Sequence, residues 1–268
     1  MAEKETKNKP KDLIEPVPEE LIKLEEELKV AVPEISHAKS YFRGREPRDP
    51  ALERQRTIDA WIPKTALGKL VKGGKVKDID SILDSHRKIL EPEIVDSLLN
   101  LESDLLLVGQ AKGKFGGGKR RAWRQTQKKT MEGNVVTFSS MAVVGDRKGH
   151  IGIGYGKSKE TLPARAKALR KAKLNLIRIK RGYESREEGS TEPHTVPFIV
   201  EGKCGSVRIK LIPAPRGTGL VVGDECKKIL RLAGIQDVYG VSKGQTRTTF
   251  NVAKACIEAL NKTNLMKL

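Results

Sequence analysis

The sequence predicts an α+β protein of two small α/β domains behind an extended N-terminal arm. Two observations carry this. Two stretches, one around residues 135–180 and one around 194–261, each read as strands closed off by a helix, with a polar stretch between them. Ahead of both, residues 1–50 mix Pro, Lys and Glu without apolar periodicity. A length of 268 residues suits one large core or two small ones.

The arm contains one candidate helix, Glu19–Val30, and reads as a flexible tail over residues 1–50 that orders on a partner. Residues 51–110 form a helical extension: Ile79, Ile82 and Leu83 mark one segment, and Ile94, Val95, Leu98, Leu99 and Leu101 another. AKGKFGGGKRRAWRQTQKKT reads as a glycine-rich basic arm that leads into a strand at 135–144, VVTFSSMAVV. After the turn Gly145–Gly149 comes a second strand, in which Ile151, Ile153 and Tyr155 share one face. Gly152, Gly154 and Gly156 occupy the other, which marks close approach of a backbone or a helix.

The next helix is expected over Thr161–Arg178, capped by Ser158 or Thr161. Its apolar stripe would be Leu162, Ala166, Leu169 and Leu176, with Lys167, Lys171 and Arg178 together on another face. Lys173 falls within the apolar stripe and must snorkel. Strands followed by a helix with a basic face outline a double-stranded-RNA-binding-like module over residues 111–181, of a kind that reads helix shape and phosphates.

Residues 182–193 form a linker. The second domain, 194–263, opens with two strands in HTVPFIVEGKCGSVRIKLIPAP, continues through the loop PRGTGLVVGD, and reaches a helix at Asp224–Ala233. That helix buries Cys226, Ile229, Leu230 and Ala233 and stops at Gly234. A short strand at Gln236–Val241 precedes a helix at Phe250–Asn261 with Ala253, Cys256, Ile257 and Leu260 on one face. Residues 264–268 are a tail.

Charge narrows the function. The net charge is +18, a field that attracts polyanions. It is concentrated. Lys112, Lys114, Lys119, Arg120, Arg121, Arg124, Lys128 and Lys129 fall between Ala111 and Thr130 without an acid, and ten more basic residues lie between Lys157 and Arg181 against Glu160 alone. Candidate RNA contacts are the eight just named, Trp123, Lys157, Lys159, Lys167, Arg170, Lys171, Arg178, Lys180, Arg181, Arg216, Lys243 and Arg247. Trp123 reads equally as a stacking platform and as a buried anchor. No membrane span and no signal-peptide core is legible, so a cytosolic protein is expected.

Catalysis finds little support. Gly113–Lys119 has the letters of a phosphate-binding loop, but Arg120 stands where the magnesium-holding Ser or Thr is needed. Ile151 breaks the same motif ahead of Gly156-Lys157-Ser158, and Gly152, Gly154 and Gly156 miss the dinucleotide spacing. His37, His86, His150 and His194 are scattered, and Cys204, Cys226 and Cys256 lack metal-site spacing. No cofactor or metal is expected. Pro213–Leu220 precedes a helix and could hold a phosphate, from RNA or from a kinase substrate.

These residues carry a resemblance. MAVVGDRKGHIGIGYGKSKE, the basic helix after it, and PHTVPFIVEGKCGSVRIKLIPAPRGTGL resemble the universal small-subunit ribosomal protein five family. PHTVP, IPAPRGTG and Trp61-Ile62-Pro63-Lys64-Thr65 with Leu67-Gly68 resemble its archaeal and eukaryotic branch. The likeness runs over about residues 53–263, and Met131-Glu132-Gly133 departs from the Lys-Gly-Gly loop tip of bacterial members. The resemblance implies a C-terminal two-layer α/β fold shared with some small-molecule kinases, with no activity following from fold alone. It implies small-subunit ribosomal RNA and neighbouring ribosomal proteins as partners, a place near the path by which mRNA enters, and a part in decoding accuracy. It also implies a protein interface at Gly217, Thr218, Gly219 and Lys227. A kinase of related fold and a free-standing RNA-binding regulator are the alternatives; missing acid and metal groups weigh against the first, and only the resemblance against the second.

Overall fold

The computed structural model describes residues 50–85, 87–110, 120–183 and 192–265. The candidate helix Glu19–Val30, the rest of the arm to residue 49, Lys112, Lys114, Lys119 and most of the expected linker lie outside them. The chain divides into residues 1–52, of which only Pro50–Leu52 are described, and residues 53–268.

The extension folds as short helices α1 (Pro50–Asp59), α2 (Ala66–Lys72), α3 (Ile79–Asp84) and α4 (Pro92–Leu98). Glu91 organises its first half: its carboxylate accepts the indole N–H of Trp61 at 2.8 Å and the backbone N–H groups of Lys64 and Thr65 at 2.9 and 2.6 Å. Burial works against its charge, but these donors outweigh it and hold the carboxyl below its ordinary value. Thr65 caps α2 by accepting from the Gly68 N–H.

Five strands form the first sheet: β1 (Glu102–Leu105), β2 (Trp123–Thr130), β3 (Gly133–Gly145), β4 (His150–Ser158) and β5 (Leu176–Arg178). β1 and β2 follow one another along one edge of β3, and β4 and β5 continue the sheet from the other edge. Two expectations are corrected here. The helical extension does not run on to residue 110, because Glu102–Leu105 pairs as a strand with Ala142–Gly145. The basic stretch expected as an arm is itself a strand from Trp123 to Thr130, where it pairs residue by residue with β3.

α5 (Thr161–Leu174) crosses the face that carries the β4 glycines. The close approach expected there is real: a Cβ on Gly154 would lie 2.1 Å from the Ala168 carbonyl oxygen, and one on Gly156 2.1 Å from that of Ala164. The helix face is corrected. Ala164, Ala168 and Ala172 are the buried residues, while Leu162 is 72% exposed. A leucine stripe cannot enter a space sized for glycine against alanine. Leu176 and Arg178 leave the helix for β5, and the residue at the cap is Glu160, with neither Ser158 nor Thr161 in that place. Lys173 finds a carboxylate, Asp96, at 2.7 Å.

The second sheet takes β6 (Val200–Cys204), β7 (Val207–Pro213), β8 (Leu220–Val221) and β9 (Val238–Lys243) in the order β6-β7-β9-β8. α6 (Asp224–Ala233) and α7 (Thr249–Asn261) belong to the same layer pair. α7 packs on β6 so closely that a Cβ on Gly202 would meet the Ala255 carbonyl oxygen at 2.1 Å. α6 has the expected bounds, and Gly234 ends it with φ 83°. β9 starts two residues later than expected, and β8, pairing parallel to it, was not expected. Residues 262–265 form a 3-10 turn where the tail was expected to start.

The two sheets share one apolar core. Met141, Val143 and Ile151, on the sheet face away from α5, join Ile229, Leu230 and Leu232 of α6. Gly182 bridges to Thr195, so the expected linker begins inside this packing. Val144, Ala172 and Leu176 face a second core, supplied by Ile79, Ile82, Ile94 and Val95 of the extension.

Candidate nucleic-acid interface

The β2–β3 hairpin outruns the sheet. β4 meets β3 only from Phe138 onward, whereas β2 follows β3 out to the Thr130–Gly133 pair. The distal part is a two-stranded ribbon, marginal when unsupported, and every residue of β2 is exposed. Thr126 and Thr137 pair across it through their hydroxyls at 2.8 Å. Strand alternation divides its cations: Arg124 and Lys128 point to one face and Lys129 to the other. Met131 at the tip is fully exposed. Arg120 is exposed, Arg121 half-buried, and the Arg121 guanidinium lies over the Trp123 ring at 5.8 Å. Trp123, at 36% exposure, is a surface ring held by a cation and no buried anchor.

α5 carries the second basic face. Alanines fill its sheet side, so Lys167, Arg170 and Lys171 stand exposed one turn apart, with Lys157 and Lys159 exposed at the end of β4 and just beyond. The helix contains no acid. Arg178 does not share this face. It sits on β5 beside Asp80 and Asp84 at 3.5 and 3.4 Å. Lys180 and Arg181 follow it, half-buried.

Asp80 belongs to a clasp between the extension and the β3–β4 turn. His150 lies between Asp146 at 2.6 Å and Asp80 at 2.7 Å. The turn itself needs glycine at Gly149, where φ is 115°. Burial lowers the His150 pKa, but the two carboxylates more than offset it and raise the value above 6.5. Asp146 is held below 3.8: burial opposes this, and hydrogen bonds from His150 and the Lys148 N–H outweigh it. The raised histidine stabilises the fold fully below its unfolded pKa, and that contribution is lost as pH rises through the folded value. The lowered aspartate acts in the opposite sense, losing its contribution as pH falls through its folded value. Urea unfolding is therefore expected to give a lower midpoint at pH 8.5 than at pH 6, with the difference reduced in His150→Gln. An equal difference in both proteins would show that the clasp is not the source.

A cleft of about 530 Å³ opens where β3–β4 and α6 meet, lined by Arg147, Arg181, Lys227 and Arg231 around Gly219 and Gly234. Arg147 and Arg231 were not anticipated, because only the fold brings them to the other two. The cations are partly committed. Arg147 pairs with Glu102 at 2.7 Å, Lys227 has Asp224 at 3.6 Å, and Arg181 donates to the Lys148 and Gly234 carbonyls. The loop Pro215–Gly219 forms one wall. Thr218 turns back onto the Pro215 carbonyl at 2.8 Å, and Gly217 and Gly219 have φ 87° and 74°. Asp237, buried, accepts the Gly219 N–H at 2.7 Å through one oxygen and meets His194 Nδ1 at 2.9 Å through the other. His150 and His194, scattered in sequence, are thus each held by aspartates as structural groups. Arg216, Lys243 and Arg247 are exposed. Among the described residues no group of His, Cys, Asp and Glu is arranged to hold a metal, and no helix is long and apolar enough to cross a membrane. Cys226 and Cys256 are free thiols buried beside each other, and the hydrogen bond with Cys226 together with full enclosure pushes the Cys256 thiol well up.

The fold and these faces define a class: a two-domain α/β protein whose cation-rich, acid-poor surfaces suit a polyanion. Family profiles match both halves, "Ribosomal protein S5, N-terminal domain" over residues 122–180 and "Ribosomal protein S5, C-terminal domain" over 202–267. Among curated relatives, the small ribosomal subunit protein uS5 of Nanoarchaeum equitans is 50% identical over 206 residues, 76% of this chain and 88% of its own. That of Methanocaldococcus jannaschii is 46% identical over 211 residues, covering 78% and 90%. That of Thermofilum pendens is 47% identical over 204 residues, covering 76% and 94%. The chain belongs to the small ribosomal subunit protein uS5 family, a family of structural proteins and not of enzymes.

Proposed function

We propose that this chain is a structural constituent of the small ribosomal subunit, in the cytoplasm. It holds folded ribosomal RNA on the β2–β3 ribbon and the exposed face of α5, meets neighbouring ribosomal proteins through the Pro215–Gly219 loop and Lys227, and lies near the path by which mRNA enters. The observation that carries the RNA reading is the ribbon. A two-stranded hairpin exposed on both faces, bearing Arg124, Lys128 and Lys129, gains its stability from a partner, and its charge suits phosphate. The Trp123 ring under Arg121 adds a surface for a splayed base.

The accuracy role rests on the loop. Gly219 has open space around a Cβ but a positive φ, so a side chain there strains the backbone and displaces the wall of the cleft. Lys227 already has Asp224 nearby, and reversing its charge sets two carboxylates together. A subunit balanced between open and closed states by a few kcal/mol responds when a single interaction at such a wall is broken. Gly219→Arg and Lys227→Glu are expected to leave RNA binding intact and to change misreading of near-cognate codons, measured by misincorporation on subunits rebuilt with each variant. Wild-type error rates in fully assembled variant subunits would remove the loop from this role.

A further inference from the structure

Among the described residues, the C-terminal sheet is covered on one face only. Val207, Ile209, Leu211 and Val238 point into the core with α6 and α7, and strand alternation sends the residues between them to the opposite, open face. Register sets that face out in rows. Lys203 of β6 lies directly opposite Arg208 of β7, which lies opposite Lys243 of β9. All three are exposed, and none has an ion-pair partner among the described residues. The next row holds Glu201 opposite Lys210, and the row beyond holds Tyr239, 40% exposed, beside Val221.

Like charges directly opposite on neighbouring strands are destabilising. At about 4.8 Å between strands, three cations abreast keep that cost unless an anion lies across them. Protection of a sheet edge does not account for the whole row, because Arg208 at its centre is paired on both sides, with Lys203 and with Lys243. The adjacent Glu201–Lys210 pair shows that the same strands take opposite charges elsewhere.

We infer that the open face of this sheet is a second RNA-docking surface. A single-stranded segment lays its phosphates across Lys203, Arg208 and Lys243 and stacks a base on Tyr239. An RNA is favoured over an acidic protein by composition: protein interfaces are poor in lysine at their centre, whereas this face carries Lys203, Lys210 and Lys243. An exposed aromatic beside a basic track is the arrangement that holds unpaired bases. Lys243 was a candidate from charge alone; Lys203, Arg208 and Tyr239 join it only through strand register.

Two measurements test this. The full-length chain is titrated with a fluorescent oligouridylate dodecamer over a range of salt. Replacing Lys203, Arg208 and Lys243 together by Gln is expected to lower the log–log salt slope by about two units, and Tyr239→Ala to weaken binding about tenfold. Unchanged slope and affinity in both variants would overturn the proposal. In assembled small subunits, a photoreactive benzophenone side chain at position 239 is expected to crosslink to RNA; crosslinks to protein alone would assign the face to a protein neighbour and overturn it as well. Failure of the wild-type chain to enter subunits would count against the ribosomal reading and leave the oligouridylate result standing.

Discussion

Gly154→Val is expected to destabilise the protein by about 3 kcal/mol or more, the upper end for overfilling a packed interior. Its Cβ alone would lie 2.1 Å from the Ala168 carbonyl oxygen and 2.2 Å from the Ala172 nitrogen, and both are helix backbone that no rotamer change can move. α5 must lift from β4, which also disturbs Ala172 and Leu176 in the core shared with the extension. For a folded unit of this size the result is a fall in thermal midpoint of about 6–12 °C. Leu162→Ala, an exposed position on the same helix, serves as the control and is expected to change the midpoint little. Equal effects of the two variants would show that the helix does not rest on glycine.

The second large effect is electrostatic. Replacing Lys167, Arg170 and Lys171 by Gln is expected to reduce the salt slope of ribosomal RNA binding by two to three units, roughly one for each phosphate left without its cation. The set differs from the one that helical periodicity suggests. Arg178 stands on β5 between Asp80 and Asp84, so its removal would release two carboxylates and confound the measurement. Arg170 is exposed on the helix itself. A slope unchanged in the triple variant would take α5 out of the interface.

What was legible in the sequence follows from where side chains declare their environment. α6 was readable to the residue because Cys226, Ile229, Leu230 and Ala233 repeat at helical spacing and Gly234 ends them. The glycines of β4 announced a close neighbour, since a bare strand face has few other uses. The alanine face that meets them did not stand out, because leucines at Leu162 and Leu169 gave a stronger apolar stripe along the same helix. β2 was hidden for the opposite reason. It is exposed on both faces, so it shows no alternation, and only its pairing with β3 makes it a strand. β8 has two residues and no pattern to find.

The candidate RNA-binding residues divide in the same way. Charge density alone marked Lys128, Lys129, Lys167 and Lys171, and each is exposed. It did not separate these from Arg181, which also serves the fold by bonding backbone carbonyls. Nor did it bring Arg147 and Arg231 to the cleft, or align Lys203 with Arg208 and Lys243. Those juxtapositions need the register of β6, β7 and β9 and the placement of α6 against the turn at Asp146–Gly149.

Sedimentation decides whether this chain is built into the small subunit by its basic faces. Tagged full-length chain expressed in cells is followed through a sucrose gradient in high salt, beside the variant lacking Lys167, Arg170 and Lys171. The wild-type chain is expected to migrate with small subunits and to remain there after the salt wash, while the variant is partly released to the top. Wild-type chain found at the top, free of subunits, would refute a place in the small subunit.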